Sequence, residues 1–137
     1  MKAFFLILGI VAWTYGFSGQ AQSGDIFAAR HAVATAGQRT KIAFIPFVYP
    51  NCGSYGDVKF GVYGKPQHGD LFLAEDEEVL STNQADLRPR CDGKPIRGLK
   101  VEYLPQSGYI GDDKTLYYIE NQSGDTWNYY QTIEVKD

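Results

Sequence analysis

The sequence predicts an all-β domain, a sandwich of two sheets with seven antiparallel strands, preceded by an export signal. Short apolar segments alternate with a two-residue period, which is the side-chain period of a strand. Turn-forming residues separate these segments at nearly regular spacing. From residue 28 onward, no window of helical length has a clean 3.6-residue apolar period.

The beginning of the chain has the layout of a cleavable signal peptide covering residues 1–23. A basic start, Met1-Lys2, is followed by an apolar run over residues 3–13 and then by small and polar residues. Cleavage after Ala21 or after Ser23 satisfies the small-residue rule, and both sites stay open. A membrane anchor is the alternative, but the apolar run is shorter than the roughly 20 residues that a span needs.

The mature domain, residues 24–137, is therefore expected in the periplasm, at the cell surface or secreted, without a membrane anchor after cleavage. Its two cysteines, Cys52 and Cys91, most simply form one disulfide in an oxidising compartment. A metal pair or a reactive thiol is the alternative, but neither cysteine has a second ligand residue at the usual spacing. The net charge of −3 has no local excess of one sign, which disfavours nucleic acid as a partner.

The first strands follow from apolar, β-branched and aromatic runs. Residues 32–36 are a short candidate, and residues 40–48 (TKIAFIPFV) are richer in such side chains and bend at Pro46. Residues 58–63 (VKFGVY) alternate as a half-buried strand does. After a Pro-x-x-Gly turn, residues 70–75 (DLFLAE) form the fourth strand.

The second half begins with the least regular stretch. Residues 76–98 start acidic and end basic, and we expect a long loop that Cys91 ties down. Residues 99–104 (LKVEYL) alternate and place Leu99, Val101 and Tyr103 on one face.

The last two strands, residues 114–120 (KTLYYIE) and 127–135 (WNYYQTIEV), are joined by a turn-rich segment. If the apolar residues near the end of the last strand point inward, then Trp127 shares their face and Tyr130 points outward. Tyr118 would then join Tyr130 on the outer surface.

The turn and corner motifs carry a family resemblance. In chain order they are P-x-H-G (66–69), V-x-Y-x-P (101–105), G-Y-x-G-x-D (108–113), an aromatic strand, Gly-Asp and I-x-V (133–135). This order resembles the bacterial immunoglobulin-like, cadherin-like domains. The resemblance implies an immunoglobulin-like sandwich in which the turns and Asp113 make corners. The chain departs from the family at Thr115, where an aromatic residue is usual.

Candidate chemistry has a structural alternative at each position. His68 could act as a general base with Asp70 as its orienting partner, but the resemblance favours a turn histidine that covers one end of the sandwich. Asp112-Asp113 and the acidic run 75–78 offer oxygen ligands for calcium, yet the chain lacks a D-x-D-x-D-G loop. We therefore expect no enzyme, no metal and no cofactor.

The leading functional hypothesis is a non-catalytic interaction module that binds a protein partner of the cell envelope. Such binding would use a sheet edge or the loop tied by the disulfide, where Arg88, Arg90 and Arg97 are the candidate contacts. An alternative is a carbohydrate-binding module that uses Tyr118, Tyr130 and Trp127, because exposed aromatic rings can bind sugars. A small exported enzyme inhibitor is a third hypothesis.

Overall fold

The protein is described by a computed structural model over residues 27–80 and 91–137. All seven predicted strands are confirmed, and most extend beyond their predicted ends. The strands are β1 (Phe27–Thr35), β2 (Thr40–Pro46), β3 (Lys59–Gly64), β4 (Gly69–Val79), β5 (Pro95–Pro105), β6 (Gly111–Glu120) and β7 (Thr126–Lys136). A single turn of 3₁₀ helix, Cys91–Gly93, precedes β5.

The strands form two sheets, one with the order β1-β7-β6-β3 and one with the order β2-β5-β4. The strand β1 runs parallel to β7, whereas the other pairings between these strands are antiparallel. The prediction of a fully antiparallel sandwich is therefore wrong at β1. A parallel pair needs a long connection between its strands, and here the rest of the domain supplies it.

The prediction of a long loop over residues 76–98 is also wrong at both ends of that range. The strand β4 continues to Val79, and β5 begins at Pro95. The ladder between these strands uses backbone groups, so the acidic side chains do not prevent it. Two of the acids are paired with cations of the same sheet: Glu78 lies 2.9 Å from Lys41 Nζ on β2, and Glu75 lies 3.0 Å from Arg97 Nη2 on β5. Residues 81–90 lie outside the described residues.

The inner faces of the two sheets pack against each other. Alternation puts Leu99 and Val101 of β5 in the same buried cluster as Tyr117 and Ile119 of β6, and all four side chains are fully buried. The predicted inward face of β5 is confirmed, since Tyr103 is fully buried as well. Full burial of a large apolar side chain contributes roughly 1.5–3 kcal/mol, so the burial of this cluster stabilises the packing of the two sheets.

The predicted disulfide is confirmed. Cys52 and Cys91 are bonded, with their Cα atoms 5.6 Å apart. The bond joins the loop that follows β2 to the 3₁₀ turn that precedes β5. It therefore fastens the chain on the C-terminal side of residues 81–90 to the main body of the domain.

Candidate functional site

The turn at residues 66–69 is held by the carboxylate of Asp113, on β6. The backbone N–H groups of Gln67 and His68 donate to its two oxygens, each at 2.9 Å. The Tyr103 hydroxyl donates to Oδ2 at 2.7 Å, and the N–H of Lys114 donates to Oδ1 at 2.9 Å. The predicted corner role of Asp113 is therefore confirmed, and its side chain has no acceptor capacity left for chemistry.

These bonds also fix the charge of Asp113. Burial raises the pKa of this carboxyl group, but the hydrogen bonds from the Tyr103 hydroxyl and from the N–H groups of Gln67, Lys114 and His68 outweigh burial and lower the pKa. Asp113 is only 7% exposed, so its negative charge is held by these donors rather than by solvent.

His68 contacts Asp113 through its backbone and Tyr109 through its ring. Its backbone N–H meets Asp113, while its ring stacks on Tyr109 with 4.1 Å between the ring centroids. The side chain of Asp70 is exposed. The ring of His68 therefore covers the end of the domain, which is the structural role that the family resemblance favours.

Within residues 27–80 and 91–137, no group of three or more His, Cys, Asp or Glu side chains is arranged to hold a metal ion. That part of the chain also contains no helix with the length and apolar character of a membrane span.

The outer face of the three-stranded sheet is charged, and its charges neutralise one another. Lys100 on β5 lies 3.5 Å from Asp76 and 3.4 Å from Glu102, and Arg39 lies 3.3 Å from Glu102. Burial raises the pKa of Glu102, but Arg39 and Lys100 outweigh it and lower the pKa. The Arg39 guanidinium also sits 3.7 Å above the ring of Phe72. This face has the character of a solvated surface.

The outer face of the four-stranded sheet carries partly exposed aromatic rings. The ring of Tyr118 lies over Gly61, where an added Cβ would come within 2.8 Å of it. Tyr63 stacks on Tyr118 with 4.6 Å between centroids, and Phe27 meets Tyr63 edge-on at 6.4 Å. We call Phe27, Tyr63 and Tyr118 the aromatic strip; its members come from β1, β3 and β6. The outermost ring, Tyr63, is 57% exposed.

A polar atom without a partner lies in the same row of the sheet. Asn128 on β7 is the cross-strand neighbour of both Phe27 and Tyr118. Its Oδ1 atom is buried and accepts no hydrogen bond, and it is alone in this among the side-chain atoms that the structure describes. A buried acceptor left unsatisfied costs roughly 1–3 kcal/mol.

Farther along the same face, a pocket of about 390 Å³ adjoins Tyr130. Asp113 and Ile133 contribute to its lining, which otherwise consists of His31, Gln67, Asp112, Lys114, Tyr130 and Thr132. No sequence pattern predicts His31, Lys114 or Thr132 as ligand contacts. Alternation could have placed Thr132 beside Tyr130, but the strand order that adds His31 has no local signal.

The predicted binding residues separate into different places. Tyr118 and Tyr130 share the outer face of the four-stranded sheet, but Tyr118 belongs to the aromatic strip and Tyr130 to the pocket. Trp127 instead stacks on Tyr55, with centroids 4.6 Å apart, and packs against the core. Trp127 therefore does not join that face.

The other candidate contacts predicted from the sequence are three arginines and a sheet edge. Arg97 is engaged with Glu75, and both Arg88 and Arg90 lie outside the described residues. The last strand, β7, lies between β1 and β6 and is not a sheet edge. The edges of the four-stranded sheet are β1 and β3, and β3 carries Tyr63.

The sequence matches no family model and no curated protein. Among solved structures, the chain is similar to the one titled "Solution Structure of Amebosin", with a TM-score of 0.42 and 7% sequence identity. The alignment covers 82% of this chain and 99% of that chain. A likeness at this level carries no conclusion about fold or function.

Proposed function

We propose that this chain is a non-catalytic, exported interaction module that docks a protein partner of the periplasm or cell surface through the aromatic strip. The observation that carries the proposal is the difference between the two outer faces. One face satisfies its own charges with ion pairs, whereas the other presents Tyr63, Tyr118 and Phe27 partly open to solvent.

The chemistry of the strip suits a protein interface. Aromatic residues are enriched at the centres of protein interfaces, and tyrosine is common among the residues that carry most of the binding energy. Tyr63 and Tyr118 are already held in one stack over Gly61, so little side-chain entropy is lost when a partner covers them.

Two further parts of the proposal concern the fold and the compartment. The order β2-β5-β4 against β7-β6-β3, with Greek-key connections, supports an immunoglobulin-like sandwich, as the motif resemblance implies. The disulfide supports export, because such bonds persist mainly in oxidising compartments. Removal of residues 1–23 as a signal peptide completes this account.

The test compares two exposed side chains on different sheets. Tyr63 is 57% exposed and Val79, on β4, is 55% exposed, so Tyr63→Ser and Val79→Ser remove similarly accessible apolar groups. The mature domain and both variants are immobilised and exposed to envelope extract from the producing cells. We expect the wild type and Val79→Ser to retain the same protein partner, which is then purified for affinity measurement.

Tyr63→Ser is expected to weaken that affinity about 30-fold, as truncation of an interface hot spot does. Its melting temperature should stay close to that of Val79→Ser, because neither side chain is in the core. Equal affinity for the two variants, or retention of glycans and no protein by the wild type, would overturn the proposal.

A further inference from the structure

The pocket beside Tyr130 is separate from the aromatic strip and has a different chemistry. It is lined by an aromatic ring together with hydroxyl, amide, imidazole, ammonium and carboxylate groups. Ligand pockets of about 300–1,000 Å³ commonly combine an apolar wall with a few polar groups that fix orientation. We propose that this pocket binds a single neutral sugar ring, a binding function beyond the docking of a protein partner.

The hydrogen bonds around Thr132 determine what His31 can offer a ligand. The Thr132 hydroxyl has one hydrogen, which it donates to the carbonyl oxygen of Arg30 at 3.2 Å. When it does so, its oxygen accepts the 2.8 Å hydrogen bond from Nδ1 of His31. Nδ1 is in either tautomer occupied by Thr132, which leaves Nε2 as the ring nitrogen that a ligand can meet. This nitrogen lies 4.0 Å from Glu134, too far for a hydrogen bond.

The other polar groups complete a set of donors and acceptors. Lys114 offers an ammonium donor, Asp112 offers carboxylate acceptors, and the amide of Gln67 offers both. Each hydroxyl of a sugar both donates and accepts hydrogen bonds. A lining that contains both kinds of group therefore matches a polyhydroxylated ligand better than it matches a ligand with donors or acceptors alone.

The charges of the pocket favour a neutral ligand. Lys114 and Asp112 are two positions apart in the sequence and carry opposite charges. The charge of Asp113 is occupied by four hydrogen bonds from the protein. Just outside, Glu134 is paired with Lys136 at 3.6 Å. The lining therefore carries two carboxylates and one ammonium, which disfavours an anion, while the four donors on Asp113 weaken the field that a cation would meet.

Tyr130 supplies the apolar wall. Its cross-strand neighbours are Ala29 on β1 and Leu116 on β6. Because the side chain of Ala29 is small, it leaves the side of Tyr130 that faces β1 uncovered. The C–H face of a pyranose can therefore approach the tyrosine ring. Of the three aromatic residues that the sequence suggested for sugar binding, only Tyr130 lines this pocket. Tyr118 is stacked in the aromatic strip, and Trp127 is packed on the core.

The test is an NMR titration of the isotope-labelled mature domain. The neutral probes are glucose, galactose, mannose and N-acetylglucosamine, and the charged matched probes are glucuronate and glucosamine. We expect at least one neutral sugar to shift the signals of Lys114, Tyr130 and Thr132 while the signals of Gly61 and Tyr118 stay in place. Glucuronate and glucosamine should both bind more weakly than that neutral sugar.

Two variants each remove one side chain that lines the pocket, and a third variant outside the pocket serves as the control. Tyr130→Ala and Lys114→Met should each weaken sugar binding about tenfold or more, and the exposed Lys114 can be changed without disturbing the core. Tyr118→Ala, on the same face but outside the pocket, should bind the sugar as the wild type does. No shift with any neutral sugar, tighter binding of a charged probe, or unchanged affinity of Lys114→Met would overturn the inference. Tyr63→Ser tests the protein partner separately, because Tyr63 does not line the pocket.

Discussion

The hydroxyl of Tyr103 donates a 2.7 Å hydrogen bond to the carboxylate of Asp113, and both residues are buried. Tyr103 belongs to β5 of the three-stranded sheet and Asp113 to β6 of the four-stranded sheet, so this bond crosses between the sheets. The same carboxylate holds the turn at Gln67 and His68, and the carbonyl of His68 accepts a hydrogen bond from Gln106 N–H at 2.8 Å. The Asp113 side chain thus holds the turn at residues 66–69 and joins the two sheets, and the backbone of His68 links that turn to Gln106.

Asp113→Asn should lower the free energy of unfolding by about 1–3 kcal/mol. The amide keeps the shape of the carboxylate but turns one acceptor into a donor, which leaves at least one buried donor unsatisfied. Chemical denaturation followed by Trp127 fluorescence measures the loss, and Asp112→Asn on the exposed side of β6 is the matched control. A loss in Asp112→Asn as large as that in Asp113→Asn would contradict the account.

The lowered pKa of Asp113 also predicts a pH dependence. Because its folded pKa lies below that of an unfolded aspartate, about 3.9, its stabilising effect is fully present above that value. The effect is lost as the pH falls through the folded pKa, since the unfolded chain takes up the proton first. The wild type should therefore lose stability in acid more steeply than Asp113→Asn. Parallel stability curves below pH 4 for the two proteins would show that the carboxylate is not held as described.

Loss of the disulfide should destabilise the domain strongly. Cys52 and Cys91 are 39 residues apart, and closing a loop of that length contributes roughly 4 kcal/mol by restricting the unfolded chain. The double variant Cys52→Ser/Cys91→Ser should unfold at a correspondingly lower denaturant concentration. The wild type in excess reductant is the control and should behave in the same way, whereas an unchanged midpoint in both would contradict the prediction.

Gly61→Ala tests the architecture of the aromatic strip. A Cβ at Gly61 would come within 2.8 Å of the Tyr118 ring, so the ring must move and its stack with Tyr63 must loosen. We expect a weaker affinity for the protein partner with little change in sugar binding. Gly64→Ala on the same strand is the control, because its Cβ would lie at an ordinary contact distance of 3.5 Å from Leu116. Equal partner affinity of the two variants would count against the strip.

The local sequence was sufficient for the parts of the fold that depend on alternation. The pattern around Leu99 and Val101 predicts their buried face, and the turn motif predicts the corner at Asp113. Trp127 likewise lies on the inner side, as the position of the last apolar residues implies. These features follow from neighbours along one strand or from the chemistry of one turn.

Other features depend on which strands become neighbours, and no local pattern contains that information. The aromatic strip brings together Phe27, Tyr63 and Tyr118 from three distant strands. Alternation places Gln131 on the inner face, but the group that satisfies its buried amide oxygen, the hydroxyl of Tyr117 at 3.1 Å, lies on another strand. The acidic end of β4 is a strand because β5 pairs with it, although its composition favours a loop.

The most direct test of the central claim is photocrosslinking in intact cells that produce the protein. A photoreactive phenylalanine analogue replaces Tyr63 in the aromatic strip or, as the control, Val79 on the other sheet, two positions of nearly equal exposure. The proposed docking surface predicts a discrete adduct with one protein from position 63 and none from position 79. No adduct from position 63, or the same adduct from both positions, would contradict it.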